Sequence, residues 1–210
     1  MNTRIYQAPI FDLLELDLAP EIFFTVQEKL QPVAAGTPVA GLTTLRRVNK
    51  WHPYFDEIVL DTTSNQLRYT HKPLLLYFFE KDWGTIATEH LTQLNAAQNK
   101  LNEQQINLLV ITTGSLKEFE ALAKKELWNL EVFEDASFEI ASLLKIYSEK
   151  DPSWSRYPGI EGNVPLPALY LLDSARQIAL DFPNKAIQPE LPLEQVWALF
   201  ANGSNTINSL

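Results

Sequence analysis

The chain has 210 residues, a formal net charge of −9 and no cysteine. Because there is no cysteine, disulfides, thiolate nucleophiles and cysteine-ligated zinc or iron–sulfur sites are excluded, and the only other sulfur atom belongs to Met1. Apolar residues make up 46% and charged residues 20% of the sequence, which is typical of a globular protein that can bury a core. These values indicate one principal domain with an extension.

The acidic charge and the short apolar runs disfavour two classes of partner. There are 26 acidic and 17 basic residues, whereas nucleic acids and anionic membrane surfaces attract clustered Lys and Arg. The apolar runs, such as Leu74–Phe79, fall far short of the roughly 20 residues that span a bilayer. No apolar signal region follows the first residues. We therefore expect a cytoplasmic protein with neither nucleic-acid nor membrane partners.

Residues 1–35 are predicted to form an extension. Leu14, Leu16 and Leu18 alternate with acidic residues as in a short strand, and Pro20 then begins an amphipathic helix. The helix is interpreted either as a flap on the protein's own core or as an arm of a homodimer. The flap is favoured because an apolar helical stripe more often covers its own core. The stripe comprises Ile22, Phe23, Val26 and Leu30.

Strand and helix patterns alternate between residues 74 and 147. The strand runs are continuously apolar, as expected for strands buried on both faces. Thr85 is predicted to cap the first helix, and Ser115 begins a capping-box pattern at the second. The predicted strands are Leu74–Phe79, Ile106–Ile111 and Leu130–Phe133, and the predicted helices are Thr85–Asn102, a segment after Ser115 that includes Leu127, and Asp135–Tyr147.

A hairpin and a final helix are predicted next. Ala168–Leu172 and Ile178–Phe182 flank a polar turn and should pair antiparallel. Pro192 is placed at the opening of the last helix. The domain is predicted to cover residues 36–203, and residues 204–210 to be a frayed tail. The apolar face of the last helix comprises Leu193, Val196, Trp197 and Phe200.

This order of elements resembles the thioredoxin fold, and local sequences resemble the alkyl hydroperoxide reductase/thiol-specific antioxidant (peroxiredoxin-like) family. The resemblance implies an α/β thioredoxin-like fold with a central mixed β-sheet flanked by helices, preceded by an N-terminal extension. The segments that carry it are Gly36–Val39, Asp61–Lys72, Leu74–Phe79, Glu80–Thr88, Asp135–Ala141 and Leu166–Asp173.

The resemblance fails at the family's redox thiols. In redox-active relatives a cysteine lies where the active-site loop meets the helix, because the helix N-terminus stabilises the thiolate. The thioredoxin-type motif falls on Trp83–Ile86 and the peroxiredoxin-type motif on Gly84–Ala87. Which of Trp83 and Ala87 replaces the nucleophile therefore stays open. Peroxidase and disulfide oxidoreductase activity by this chain alone is excluded. The former redox-site positions are Trp83, Gly84, Thr85, Ile86 and Ala87.

Leu166 and Pro167 match the family's cis-proline loop. In relatives that loop leaves backbone groups free to pair with an extended substrate, and this mode of binding requires no sulfur. The resemblance therefore implies a protein or peptide partner and no cofactor. The nearby aromatic residues Trp154 and Tyr157 are either anchors of their loop or part of a binding surface, and anchoring is favoured.

Three polar residues near the former redox site are the remaining candidates for chemistry. Glu80 replaces the family's loop proline, Asp82 follows it, and His90 could reach the mouth of the site as a general base. The spacing of the three histidines, His52, His71 and His90, matches no short metal-ligand pattern, so no metal is expected.

Three hypotheses for function follow. The first is a non-catalytic binding or assembly module that has lost its redox cysteines. The alternative is an enzyme of another class that uses Glu80, Asp82 and His90, or an antioxidant-family protein that depends on a thiol-bearing partner.

Overall fold

The computed structural model of the protein describes residues 29–38, 59–60, 67–68, 72–175 and 177–203. The predicted strand at Leu14–Leu18, the predicted helix as far as residue 28, most of the Asp61–Lys72 segment and the predicted tail lie outside the described residues. Leu30, which the predicted helical stripe included, is described and lies outside any helix. Two short strands, β1 (Val59–Leu60) and β2 (Leu67–Arg68), pair antiparallel.

A five-stranded mixed sheet forms the centre of the domain. Its strand order is β5-β4-β3-β6-β7, in which β3, β4, β5 and the edge strand β7 run in one direction and β6 runs antiparallel to both of its neighbours, β3 and β7. The predicted hairpin is therefore confirmed as β6 and β7. The strands are β3 (Leu74–Phe78), β4 (Asn107–Thr112), β5 (Val132–Glu134), β6 (Ala168–Leu172) and β7 (Ile178–Pro183).

The described helices flank this sheet. Every residue of β3 is buried, because other parts of the domain cover both faces of the sheet there. This burial agrees with the predicted apolar run. The buried stripe of the first helix matches the predicted periodicity, from Ala87 to Leu101. The helices are α1 (Gly84–Glu103), α2 (Leu116–Glu126), α3 (Glu139–Leu143) and α4 (Leu193–Gly203), with single 3-10 turns at Lys81–Trp83 and Ser153–Ser155.

One of the two predicted caps is wrong, and the other is confirmed in position but not in its side-chain hydrogen bond. Trp83, and not Thr85, is the N-cap residue of α1, because Gly84 already belongs to the helix. Gly84 has φ +60°, a backbone conformation that glycine adopts without strain. Ser115 is the N-cap residue of α2, yet its side chain makes no capping hydrogen bond. Its carbonyl instead accepts the amide of Glu118 at 3.0 Å.

The helix predicted over Asp135–Tyr147 is much shorter in the structure. Phe138 and Lys145 have φ values of 57° and 54°, so left-handed residues bound α3 on both sides. The carboxylate of Asp135 accepts the amide of Ala141 at 2.9 Å and satisfies a backbone donor at the helix start. A side chain outside the helix therefore fixes where it begins.

The described part of the extension lies on the domain. Leu30 and Val33 pack against the core. Four amides within residues 30–36 also bond to the domain at distances of 2.7–3.1 Å. The amides of Leu30, Val33, Ala35 and Gly36 donate to Asp151, Leu144, Asp181 and Ile178, respectively.

Candidate functional site

A cleft of about 510 Å³ opens where β3 and β4 end. These strands are parallel, so the residues that follow them meet at one edge of the sheet, where ligands of open α/β folds commonly bind. Glu80 follows β3, and Gly114 follows β4. The cleft is lined by acidic side chains, among them Glu80, and by the apolar residues Phe79, Phe119 and Leu122.

Glu80 is the buried acid of this cleft. Its carboxyl group is only 5% exposed and accepts hydrogen bonds from the amide and the hydroxyl of Thr113, the latter at 2.8 Å. Burial raises the pKa of Glu80 to about 7, and the charges of Asp82 and Asp135 act in the same direction, whereas the Thr113 hydrogen bonds oppose the shift. The carboxyl group is therefore poised to gain or lose a proton near neutral pH.

The rim of the cleft is charged. Lys81 and Glu118 form an exposed ion pair at 2.6 Å, which joins the turn before α1 to α2. Asp82 is also exposed and has no ion-pair partner in the described part of the chain. The described lining of the cleft therefore has an excess of acidic groups, since its one lysine is paired with Glu118 while Glu80 and Asp82 have no basic partner there.

Trp83 occupies the start of α1, where the resemblance placed the redox loop. Its indole is 6% exposed, donates a hydrogen bond to the carbonyl of Pro165 at 2.8 Å, and packs edge-on against Tyr157 with the ring centres 5.1 Å apart. Ala87, one turn further, is fully buried. Of the other former redox-site positions, Gly84 and Thr85 are exposed and Ile86 is half-buried.

The prediction that His90 reaches the mouth of the site is wrong. His90 is fully buried, and its Nε2 bonds the carbonyl of Gln188 at 2.8 Å. Since a carbonyl only accepts, Nε2 carries the proton and Nδ1 accepts the hydroxyl of Tyr77 at 2.9 Å. Burial lowers the pKa of His90. The neutral ring is thus committed to the core and does not join Glu80 or Asp82 as a general base.

The cis-proline prediction at Pro167 is also wrong. The described residues contain no cis peptide bond, so the Leu166–Pro167 bond is trans, the intrinsically favoured isomer. The Leu166 amide donates to the carbonyl of Ile146 at 3.0 Å, and the Pro167 carbonyl accepts the amide of Asn184 at 2.8 Å. These backbone groups are paired within the domain and are not open to an extended substrate.

The two aromatic residues of the loop after α3 differ: one is an anchor and the other is exposed. Tyr157 is an anchor, because it packs on Trp83 and its hydroxyl donates to the carbonyl of Lys185 at 3.1 Å. Trp154 remains 55% exposed.

The sequence interpretation missed Thr113, Gly114 and Asp135 as neighbours of Glu80. Each comes just after one of two parallel strands, β4 or β5, so the strand pattern itself placed them at the edge of the sheet next to Glu80. No cluster of three or more His, Asp or Glu in the described residues is arranged to hold a metal ion. No helix in the same residues has the length and apolar character of a bilayer span.

Comparison with solved structures supports the fold. Peroxidoxin BcpB from Mycobacterium tuberculosis matches with a TM-score of 0.51 at 13% identity, over 65% of this chain and 80% of that chain. A mutant of PrxQ from Xylella fastidiosa gives 0.54 at 12% identity, over 67% and 86%. Thioredoxin peroxidase I of Plasmodium yoelii gives 0.51 at 18% identity, over 67% and 78%.

Sequence comparison identifies the family. No curated protein matches the chain at a significant level. The model of the AhpC/TSA family matches residues 56–180, which is more than half of the sequence. Together with the thioredoxin-like sheet and the peroxiredoxin-like structures, this match shows that the chain is a cysteine-free member of the AhpC/TSA family.

Proposed function

We propose that this protein is a thiol-free binding module that holds another protein or a peptide. The observation that carries the proposal is the buried Trp83 indole, which closes the start of α1 and is fixed there by Pro165 and Tyr157. Peroxide reduction by the family's route requires a thiolate at this helix start, and the chain has no sulfur nucleophile. What the domain offers instead is a cleft beside the closed site.

The cleft replaces the Pro167 loop as the proposed binding region. It is concave, it combines apolar and charged walls, and it lies at the edge of the sheet where ligands of such folds commonly bind. The backbone groups around Pro167 are already paired, so that loop has less to offer an extended segment.

The proposal is tested by comparing the partners that the wild-type protein and a variant with a blocked cleft capture from cells of the source organism. Gly114 lacks a left-handed backbone and faces the cleft, so Gly114→Leu should fill the cleft without strain. Gly162→Leu is the matched control, because Gly162 likewise lacks a left-handed φ and is not among the residues that line the cleft. We expect a reproducible partner that Gly114→Leu loses by at least tenfold and Gly162→Leu retains. Absence of any partner contradicts the proposal.

A turnover assay separates binding from redox catalysis. The purified chain should reduce neither hydrogen peroxide nor a protein disulfide, alone or after addition of a cellular thiol fraction. Turnover that appears only with the thiol fraction would favour the hypothesis of a thiol-bearing partner instead.

Proton-transfer catalysis is a second candidate function, and the buried carboxyl group of Glu80 is the observation that favours it. A carboxyl group with a pKa of about 7 is suited to act as a general acid or base near neutral pH. A screened activity that follows a pKa near 7 and disappears in Glu80→Gln would support an enzyme. His90 has no part in this candidate, since both its ring nitrogens are bonded in the core.

We further propose a cytoplasmic location and leave a homodimer as one form of assembly. Cell fractionation tests the location, and light scattering coupled to gel filtration tests the dimer.

A further inference from the structure

We infer that the cleft at the ends of β3 and β4 binds a basic side chain, Lys or Arg, on a peptide segment of the partner. This inference rests on the proposed binding function and specifies its ligand. It depends on three observations: an incompletely paired buried carboxyl group, apolar side chains that line the same cleft, and an opening that leads to the carboxyl group.

The first observation concerns the charge inside the cleft. Oε1 of Glu80 accepts both Thr113 hydrogen bonds, whereas Oε2 has no hydrogen-bond partner among the described residues. Among the described residues that line the cleft, Lys81 is the only lysine, and it is bound to Glu118. A second cation would therefore complete the carboxyl group with a charge-assisted hydrogen bond, whereas an anion would be repelled by Glu80 and Asp82.

The second observation is the apolar wall. Phe79 and Phe119 pack edge to face with their ring centres 5.5 Å apart, and half-buried Leu122 continues this surface. Lys and Arg carry apolar stems that pack along such surfaces while the charged end seeks a partner. A small inorganic cation would leave this wall unused.

The third observation is the opening at Gly114. A Cβ atom at this position would lie 3.6 Å from Oε2 of Glu80 and 3.4 Å from Oγ1 of Thr112. Because glycine has no side chain, the space next to Oε2 stays open. Any larger residue would occupy the place where the end of a basic side chain meets the carboxylate.

Short blocked peptides test the inference directly. The probes are acetyl-Gly-Leu-Lys-Leu-Gly-amide, its arginine counterpart, and versions with norleucine or glutamate in the central position. Norleucine keeps the apolar stem and removes the charge. Titrations at pH 8 should show that norleucine weakens binding by at least tenfold and that the glutamate peptide does not bind.

Variants then locate the site. Glu80→Gln should weaken binding of the lysine peptide by at least tenfold, and Gly114→Leu should abolish it. Glu89→Gln, at an exposed position of α1 away from the cleft, and Gly162→Leu should leave the affinity unchanged. Circular dichroism of each variant establishes that it is folded.

Three results overturn the inference: equal binding of the lysine and norleucine peptides, binding that survives both cleft variants, or no binding of either basic peptide. Each is distinct from failure of the proposed function. If a cellular partner is captured equally by the wild type, Glu80→Gln and Gly114→Leu, the protein is a binding module whose ligand lies elsewhere.

Discussion

The hydroxyl of Tyr77 donates a hydrogen bond to Nδ1 of His90 at 2.9 Å, and both side chains are fully buried. Their rings also meet edge to face with centres 5.5 Å apart. Since Nε2 of the same imidazole donates to the carbonyl of Gln188, one chain of hydrogen bonds connects β3, α1 and the segment before α4. His90 therefore has a structural role in joining these three elements.

Removal of the Tyr77 hydroxyl should destabilise the fold. Tyr77→Phe leaves Nδ1 of His90 buried without a donor, which costs about 1–3 kcal/mol of the free energy of unfolding. Tyr170→Phe is the matched control, because Tyr170 is equally buried in the sheet but its hydroxyl has no hydrogen-bond partner in the described structure. That variant should be neutral or stabilising. Urea denaturation measures the free energy of unfolding of both variants, and equal losses would contradict the hydrogen bond between Tyr77 and His90.

His90 should make stability fall in mild acid. Burial lowers its pKa in the folded protein below the ordinary value of 6.5, so the unfolded chain binds the proton first. Its contribution is present above pH 6.5 and is lost as the pH falls from there toward the lower folded pKa. Urea unfolding at pH 7.5 and 5.5 should show a smaller loss of stability in His90→Gln than in the wild type. An identical loss in the two proteins would show that other groups cause it.

Glu80 should make the free energy of unfolding fall as the pH rises, which is opposite to the effect of His90. Its pKa rises from 4.5 to about 7 on folding, so stability is unaffected below pH 4.5 and is lost as the pH rises toward 7. A difference of this size corresponds to about 3 kcal/mol. Glu80→Gln should therefore be close to wild type at pH 4 and more stable at pH 8, with the gain measured by urea denaturation. Glu89→Gln, with its side chain in solvent, should gain nothing, and a gain equal to that of Glu80→Gln would refute a burial effect.

Introduced thiols can identify the position that corresponds to the lost nucleophile. A cysteine at position 83 lies at the N-terminus of α1, where the helix lowers a thiol pKa, whereas Ala87 is fully buried. We expect Trp83→Cys to react with iodoacetamide at pH 7.5 at least tenfold faster than Ala87→Cys. Adding Trp83→Ala to Ala87→Cys should restore reactivity if the indole is what excludes the reagent. Exposed Ser137→Cys gives the reference rate of an ordinary thiol. A fast reaction of Ala87→Cys alone would mean that Trp83 does not close the site.

A strained helix end offers a stabilising substitution. Leu127 ends α2 with φ 57° and is 84% exposed. Its left-handed backbone is therefore strained, and its side chain buries little apolar surface that would offset the strain. Leu127→Gly should raise the free energy of unfolding by about 0.5–1 kcal/mol. Ala121→Gly, at an exposed interior position of the same helix, should lower it by about 1 kcal/mol. Both changes introduce glycine, one at a left-handed and one at a helical position, and loss of stability in both would refute the argument.

The central elements could be predicted because their patterns are long and local. The apolar run of β3 is followed by the regular stripe of α1, which predicts a buried strand and an amphipathic helix without knowledge of the rest of the chain. Two apolar segments typical of β-strands, separated by a short polar turn, likewise predicted the hairpin of β6 and β7.

The details of the candidate site could not be predicted because distant residues determine them. The carbonyl that holds Trp83 belongs to Pro165, 82 residues later, and the one that binds His90 belongs to Gln188, 98 residues later. The early end of the third predicted helix has a local cause, since Phe138 and Lys145 adopt left-handed backbones that a helical pattern of apolar residues does not reveal.

The hydrogen bonds of the amides within residues 30–36 cannot form until much later parts of the chain have been synthesised. Ala35 donates to Asp181, 146 residues further along, and Gly36 donates to Ile178. Synthesis proceeds from the N-terminus at roughly 5–20 residues per second, so these acceptors leave the ribosome about 7–30 seconds after the donors. During that interval the apolar side chains of Leu30 and Val33 lack part of the surface that later covers them. A growing chain must therefore keep this segment from other contacts until β7 has been synthesised.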